Sequence, residues 1–322
     1  MNYLFGPVNS RRLGRSLGID LTPGKVCNFN CIYCEVGQKN RLTCERKEYV
    51  PTDAVIREID EYLAGTEVLP DVFTVTGSGE PTLHSGIGRI IRHLKSCTDI
   101  PVVVLTNSSL FYLPEVRNDL LAADIVVPSL DAARQESFEK INRPIHCSFQ
   151  LEGIIAGLED FSREYDGEMW LEVLLAKGIN DSPEDIAAIR DAVARIRPQR
   201  IQLNTVARPP METFAEPVDQ QRIEEAAEEL GRGYAGLIEV LPTFSEGMIK
   251  MPAGVQLPAD EDGVLEMLRR RPCTRTEIGE VLKLDRHETD RIIAKLQQGG
   301  RVRETTHNGK LFYQVTDTPK TV

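Results

Sequence analysis

Six short apolar runs rich in β-branched residues alternate along this chain with stretches of helical periodicity, and few folds accept that pattern. The runs are Leu17–Leu21, Val72–Thr76, Val102–Thr106, Ile125–Ser129, Trp170–Leu175 and Arg200–Leu203. Between them, Thr52–Leu63 places Val55, Ile56, Ile59 and Leu63 on one helical face. Ile87–Leu94 does the same with Ile87, Ile90, Ile91 and Leu94, and Ser148–Phe161 with Leu151, Ile154, Ile155 and Leu158. Ser182-Pro183-Glu184-Asp185 has the N-cap, first-turn proline and early acids that open a helix running to Ile196. Continuously apolar strands separated by helices predict a parallel sheet covered on both faces. The expected fold class is α/β, a partial (β/α)6 TIM-like barrel, with an open doubly wound sheet as the alternative. In either, ligands bind at the C-terminal strand ends, in the loops entering the helices.

The chain has 322 residues, more than one average domain. Residues 1–240 hold the alternating pattern. Residues 241–258, with three prolines and three glycines or serines, predict a linker, and residues 259–317 a small second domain. In that tail, Glu261–Arg270 forms a short helix, Thr274 begins a second and Asp285 caps a third that Gly299-Gly300 ends. Asn308-Gly309 then marks a hairpin. Three helices followed by a hairpin describe a winged helix-turn-helix. The net charge of −11 is not that of a general nucleic-acid binder. Residues 259–322 carry 12 Lys/Arg against 11 Asp/Glu, a net of +1, which leaves −12 on residues 1–258. The chain has no membrane-length apolar run and no export signal, so a cytoplasmic protein with reduced cysteines is expected.

Directly after the first predicted strand comes CNFNCIYC, which sets Cys27, Cys31 and Cys34 on one short loop at the functional edge of the sheet. Three thiolates so spaced can ligate three corners of a cubane iron–sulfur cluster, and no fourth cysteine follows closely. One iron then lacks a protein ligand and is open to a substrate or cofactor. The triplet alone also suits a zinc knuckle or plain free thiols. Cys44, Cys97, Cys147 and Cys273 are isolated, which argues against a second cluster. Cys97, at the end of a helix, is expected to be structural or incidental. Cys44 and Cys147 lie in loops that could face the site, where a thiol could donate a hydrogen atom to a substrate radical. Arg134, Arg143 and His146 share the region of Cys147 and could bind an anionic substrate.

CNFNCIYC resembles the CxxxCxxC signature of the radical S-adenosylmethionine (radical SAM) enzymes, with Tyr33 as the aromatic before the last cysteine. The resemblance spans about residues 17–206, and several segments match it in order. It implies a 4Fe–4S cluster whose open iron chelates S-adenosylmethionine. One electron then cleaves the cofactor to methionine and a 5′-deoxyadenosyl radical. Gly77-Ser78-Gly79-Glu80 resembles the GGE motif that binds the methionine amino group, with Ser78 where a glycine is usual. Leu105-Thr106-Asn107 and Ser129-Leu130-Asp131 resemble strand ends near the ribose. Hydroxyl, amide and carboxylate groups suit a vicinal diol. Lys177, in Lys177-Gly178-Ile179-Asn180-Asp181, implies a reach to the methionine carboxylate, and Asn204 with Thr205 a contact to adenine or methionine.

The N-terminal run FGPVNSRRLGRSLGIDLTPGKVCNFNCIYCEVG is similar to the radical enzymes grouped with wyosine-base synthesis in tRNA, though no cysteine precedes Cys27. Arg11, Arg12 and Arg15 form a local basic patch that could meet phosphates or a carboxylate. Three functions follow as expectations. The first is a radical enzyme acting on a macromolecule, RNA favoured, fed by an external one-electron reductant such as flavodoxin or ferredoxin. Its winged helix would recruit substrate through Arg286 and Arg291 on the third helix and Arg301, Arg303 and Lys310 on the wing. The second is peptide modification, with the winged helix binding a leader peptide. The third is a DNA-binding regulator that uses the cluster as a redox or S-adenosylmethionine sensor.

Overall fold

A computed structural model describes residues 2–10, 12–36, 41–66, 68–145, 150–241 and 259–316. All six anticipated strands form. They are β2 (Gly14–Asp20), β5 (Val72–Thr76), β6 (Val102–Thr106), β7 (Ile125–Pro128), β8 (Glu168–Leu175) and β9 (Arg200–Thr205). Two unforeseen strands extend the sheet, β1 (Leu4–Ser10) and β10 (Leu237–Val240), giving the order β1-β2-β5-β6-β7-β8-β9-β10. Neighbours from β2 to β10 are parallel and β1 is antiparallel to β2. β1 escaped sequence reading because Gly6-Pro7 interrupts it. The register shifts between Phe5 and Val8, and an edge strand tolerates a proline that donates no hydrogen bond.

The sheet curls. Arg12, in the turn between β1 and β2, donates from Nη1 to Glu172 Oε2 on β8 (2.7 Å) and Gln202 Oε1 on β9 (2.8 Å). From β2 to β8 there are four inter-strand steps, about 19 Å if the sheet were flat. No arginine spans that distance, so the two sides of the sheet approach one another as in an incomplete barrel. Successive side chains of a strand point to opposite faces. Phe73 and Val75 therefore face the helices, whereas Val72, with Val103, Val127 and Trp170, packs in a separate cluster with Leu13 from the β1–β2 turn.

The outer layer comprises α1 (Thr52–Gly65), α2 (Ile87–Cys97), α3 (Pro114–Leu120), α4 (Gln135–Ile141), α5 (Leu151–Glu164), α6 (Pro183–Ile196) and α7 (Gln220–Leu230). On α2, Ile87, Ile90, Ile91 and Leu94 are fully buried, each contributing about 2 kcal/mol. Ser182 caps α6 by accepting from Asp185 N, with Pro183 in its first turn as anticipated. The helix anticipated from Ser148 begins at Leu151, and Ser148 and Phe149 lie outside the described residues. α3 and α4 have seven residues each, too few for a periodicity to stand out.

The expected linker, apart from Leu241, lies outside the described residues. Beyond it, α8 (Glu261–Arg270), α9 (Arg275–Leu282) and α10 (Arg286–Gln298) precede a hairpin of β11 (Val302–His307) and β12 (Lys310–Val315). Thr274 and Asp285 cap α9 and α10 through capping boxes with Glu277 and Glu288. Asn308 and Gly309 both have positive φ, which a two-residue hairpin turn requires. This C-terminal unit has its own core around Val264, Leu268, Ile278, Ile292 and Leu296. It docks on the segment following β9, where the His307 ring and Asn308 Nδ2 reach Val206 O at 3.2 and 3.3 Å. No helix among the described residues is long and apolar enough to cross a membrane.

Candidate active site

The loop bearing the three cysteines leaves β2 and passes through β3 (Val26–Cys27), which pairs with β4 (Arg41–Leu42). It is then held from the far side by the end of α4. Asn30 N donates to Asn142 O (3.0 Å), Ile32 N to Ile141 O (2.9 Å) and Ile145 N to Asn28 O (3.1 Å). Phe29 is buried edge-on against Phe138, ring centroids 5.4 Å apart. Cys27 is buried, and Cys31 and Cys34 are half-buried. Burial pushes the Cys31 thiol far up, reinforced by the nearby Asp131, Cys27 and Cys34. A thiol in such surroundings stays protonated unless a metal displaces the proton.

Above this loop lies the end of β5. A Cβ on Gly79 would stand 1.7 Å from Val26 O, and one on Gly77 would stand 2.5 Å from Thr22 Oγ1. At position 79 only glycine lets the end of β5 meet the backbone of the cysteine loop, whereas at position 77 a Cβ would crowd the Thr22 and Asp20 side chains. Ser78 fits because its hydroxyl donates to Asp20 Oδ2 (2.8 Å). Glu80 is buried and heavily engaged. Its Oε1 accepts from Thr82 N (3.0 Å), Thr82 Oγ1 (2.6 Å) and Thr106 Oγ1 (2.6 Å), and its Oε2 accepts from Asn107 N (2.7 Å). Burial raises the pKa of its carboxyl against the pull of these donors. Glu80 therefore braces the ends of β5 and β6 together, and only Oε2 keeps room for a further donor.

Asn107, Ser129, Asp131 and Asn142 line one small cleft with Phe29 and Phe138. Asp131 does more than its tripeptide suggested. Its Oδ2 accepts from Tyr33 Oη (2.5 Å) and Asn142 Nδ2 (2.7 Å), and its Oδ1 from Leu174 N (3.0 Å). Burial raises its pKa to about 6 despite those donors. Asp131 thus anchors the cysteine loop through Tyr33. Asn180 is fully buried and ties Leu174 O and Asp131 O together (both 2.7 Å), a scaffold role.

Other anticipated residues go elsewhere. The Lys177 side chain is exposed and its backbone N bonds Glu216 O, so the strand-end site does not enclose it. Asn204 Nδ2 points to Glu172 Oε1 (3.4 Å) inside the curl. The expected N-terminal basic patch is dispersed. Arg12 is turned inward to Glu172, Arg15 pairs with Asp71 (2.8 Å), and Arg11 lies outside the described residues. Arg143 pairs with Glu212, and Arg134 with Asp185 at 3.3 Å. Cys44 is half-buried and disulfide-bonded, so it presents no thiol here, contrary to the expectation of reduced cysteines. His146 and Cys147 lie outside the described residues.

Sequence reading missed Arg208, which joins the cysteine loop to the C-terminal unit. Its guanidinium, 5% exposed, donates to Pro272 O (2.7 Å) and Glu277 Oε1 (2.5 Å), and stands 3.4 Å from Oε2 of Glu35, the residue after Cys34. Burial works against the Arg208 charge, but Glu277 and Glu35 outweigh it. Burial likewise pushes the Glu277 carboxyl up, and Arg208 brings it below the ordinary value. Removing one member of such a pair strands a buried charge, so Arg208→Ala should cost about 3 kcal/mol. Limited proteolysis should then release the C-terminal unit, whereas unchanged protection would refute the clasp. Because the folded pKa of Glu277 is depressed, its contribution is full above the ordinary carboxylate pKa and fades as pH falls through the depressed one. Release should therefore also grow below about pH 4.

Residues 21–191 match the family model described as Radical SAM superfamily. The chain belongs to the radical SAM superfamily. It is 38% identical over 312 residues to a protein of Brachyspira hyodysenteriae named GTPase Obg, covering 97% of this chain but 45% of that longer protein. It is 35% identical over 276 residues to a UPF0026 protein of Helicobacter pylori, covering 85% of this chain and 86% of that one. A radical SAM methyltransferase from Sphaerobacter thermophilus has a similar fold, with TM-score 0.53 at 18% identity over 72% of this chain and 67% of that one. Radical SAM enzymes use a 4Fe–4S cluster and S-adenosylmethionine. The residues present suit both. Three thiols share one pinned loop. Beside it, the glycine shelf admits no Cβ, and the buried Thr22 Oγ1 has no hydrogen-bond partner among the described residues.

Proposed function

We propose that this radical SAM enzyme modifies a macromolecule, with RNA the favoured class, and that its C-terminal unit is a winged helix that recruits the substrate. Cys27, Cys31 and Cys34 would hold the cluster. Gly77, Ser78, Gly79 and the open side of Glu80 Oε2 would receive the methionine end of S-adenosylmethionine. Asn107 and Ser129 would face its ribose, with Tyr33 and Asp131 setting the loop, while Lys177 and Asn204 are more distant candidates. When bound, the cluster supplies one electron and S-adenosylmethionine a 5′-deoxyadenosyl radical. The observation that supports a large substrate is the docking of the C-terminal unit on Val206 and Arg208, one ion pair away from the residue after Cys34. A macromolecule held by that unit would lie beside the strand ends where the radical arises. The subgroup resemblance of the N-terminal run to wyosine-type enzymes favours RNA over other polymers.

A peptide is the second reading. Several basic groups of the unit are already neutralised, Lys295 by Glu261 and Arg275 by Asp290 at 3.4 Å, which suits a protein partner better than a polyanion. The protein should be reconstituted anaerobically with a low-potential reductant, crosslinked in cell extract, and its bound polymer sequenced. For RNA, the Arg286→Ala/Arg291→Ala double variant should lower the slope of log affinity against log salt by about 2. An unchanged slope, or recovery of one peptide or one DNA consensus instead, would overturn the RNA assignment.

A further inference from the structure

Two cysteine sulfurs of the loop lie beside side-chain amides that come from distant parts of the chain. Asn107 Nδ2, just beyond β6, is 3.7 Å from Cys27 Sγ. Asn142 Nδ2, just beyond α4, is 3.5 Å from Cys31 Sγ. Both amides are oriented by other bonds. Asn107 Oδ1 accepts from Ser109 N (3.0 Å), which leaves its NH2 group facing Cys27. Asn142 Nδ2 also donates to the Asp131 carboxylate (2.7 Å), so its NH2 is the end near Cys31. Each NH2 has two protons and two acceptors. Asn107 serves Asn28 Oδ1 (2.9 Å) and Cys27, and Asn142 serves Asp131 and Cys31.

The Asn142 contact also closes a loop of interactions. Tyr33 and Cys31, two residues apart, are joined through Asp131 and Asn142, so the amide cannot turn away without breaking its buried bond to Asp131, nor the sulfur without leaving Asn142. Asn142 is itself 4% exposed and its carbonyl holds Asn30.

We propose that Asn107 and Asn142 are positioning residues that donate N–H···S hydrogen bonds to two of the three cluster thiolates and thereby raise the reduction potential of the cluster. The inference rests on the radical SAM reading of this loop and deepens it. An oxidised cluster accepts one electron from a low-potential external donor, and the added negative charge is shared with the ligating sulfurs. A fixed N–H dipole aimed at a sulfur stabilises the reduced form more than the oxidised one. Removing a partner of this kind outside the ligand set typically costs about ten- to a hundredfold in metal affinity or activity, and the lower end of that range is the effect expected here on the balance of reduced and oxidised cluster.

The test is a mediated redox titration of the reconstituted protein, following the signal of the reduced cluster by electron paramagnetic resonance at matched iron and sulfide content. Asn107→Leu and Asn142→Leu keep side-chain size and delete the donors. Each should lower the reduced-to-oxidised ratio at fixed potential about tenfold, which is 59 mV for one electron. Asn107→Leu leaves the Asp131 network intact and so decides the matter should Asn142→Leu lose iron. Unshifted midpoints at full cluster content would overturn the proposal. Wild-type protein carrying 15N-asparagine offers a measurement free of any variant, in which hyperfine coupling of the label to the reduced cluster is expected and its absence counts against the bonds. Failure of the wild-type protein to form a cluster through Cys27, Cys31 and Cys34 would instead refute the reading on which the proposal stands.

Discussion

Gly79→Ala is expected to deprive the reconstituted protein of most of its cluster. The new methyl would stand 1.7 Å from Val26 O and 2.5 Å from Val26 C. Both are backbone atoms of the residue before Cys27, so no side-chain rotation relieves the clash. Val26 O also accepts from Glu80 N at 3.0 Å, the bond that joins the glycine shelf to the cysteine loop. Overpacking a well-filled site costs about 1–3 kcal/mol, and a clash with backbone belongs at the top of that range. Ser78→Ala loses only the bond to Asp20, about 1 kcal/mol, and should keep its iron. Gly153→Ala, within α5 with nothing near its Cβ position, should be neutral or stabilising by about 0.5 kcal/mol. Iron and sulfide per chain with a thermal melt separates the three. Full iron in Gly79→Ala would show that β3 can give way.

Cys31→Ala is expected to abolish both the cluster and the formation of 5′-deoxyadenosine. Three ligands already leave one iron open, and two hold the cubane at only half its corners. The loss goes beyond one bond, because the Cys31 sulfur is the end of the chain that runs from Tyr33 through Asp131 and Asn142. Cys27→Ala and Cys34→Ala should behave alike. Cys97→Ala should not, since Cys97 is exposed at the end of α2, and Cys273→Ala should loosen only the C-terminal core. Iron analysis and chromatography of the products after addition of S-adenosylmethionine and dithionite provide the check. Undiminished cluster content in Cys31→Ala would remove the loop as the cluster site.

The cysteine loop, the shelf of Gly77 and Gly79 and the polar strand ends were legible because each is local. A cysteine spacing, a glycine pair and an apolar run ending in Asn107 or Ser129 are patterns a few residues long. Partnerships between distant residues were illegible. Asn142 meets Cys31 across 111 positions, Arg208 meets Glu277 across 69, and Arg12 meets Glu172 across 160. Arg12 looked like part of a basic patch because its neighbours in sequence are arginines. The curl of the sheet brings it instead to a carboxylate on the opposite side.

From sequence alone, the alternation of buried strands and amphipathic helices settled an α/β fold with a mostly parallel sheet, and strand direction placed the cysteine loop at the C-terminal end of the first anticipated strand. Side-chain periodicity carries that information because burial of apolar surface depends on pattern rather than on particular partners. Tertiary structure decided how the polar residues are used. Asp131 holds Tyr33, Glu80 braces two strands, and Arg208 clasps the C-terminal unit beside the cysteine loop. A buried polar group must be satisfied, but by which partner is a matter of angstroms, and only the folded chain sets those distances.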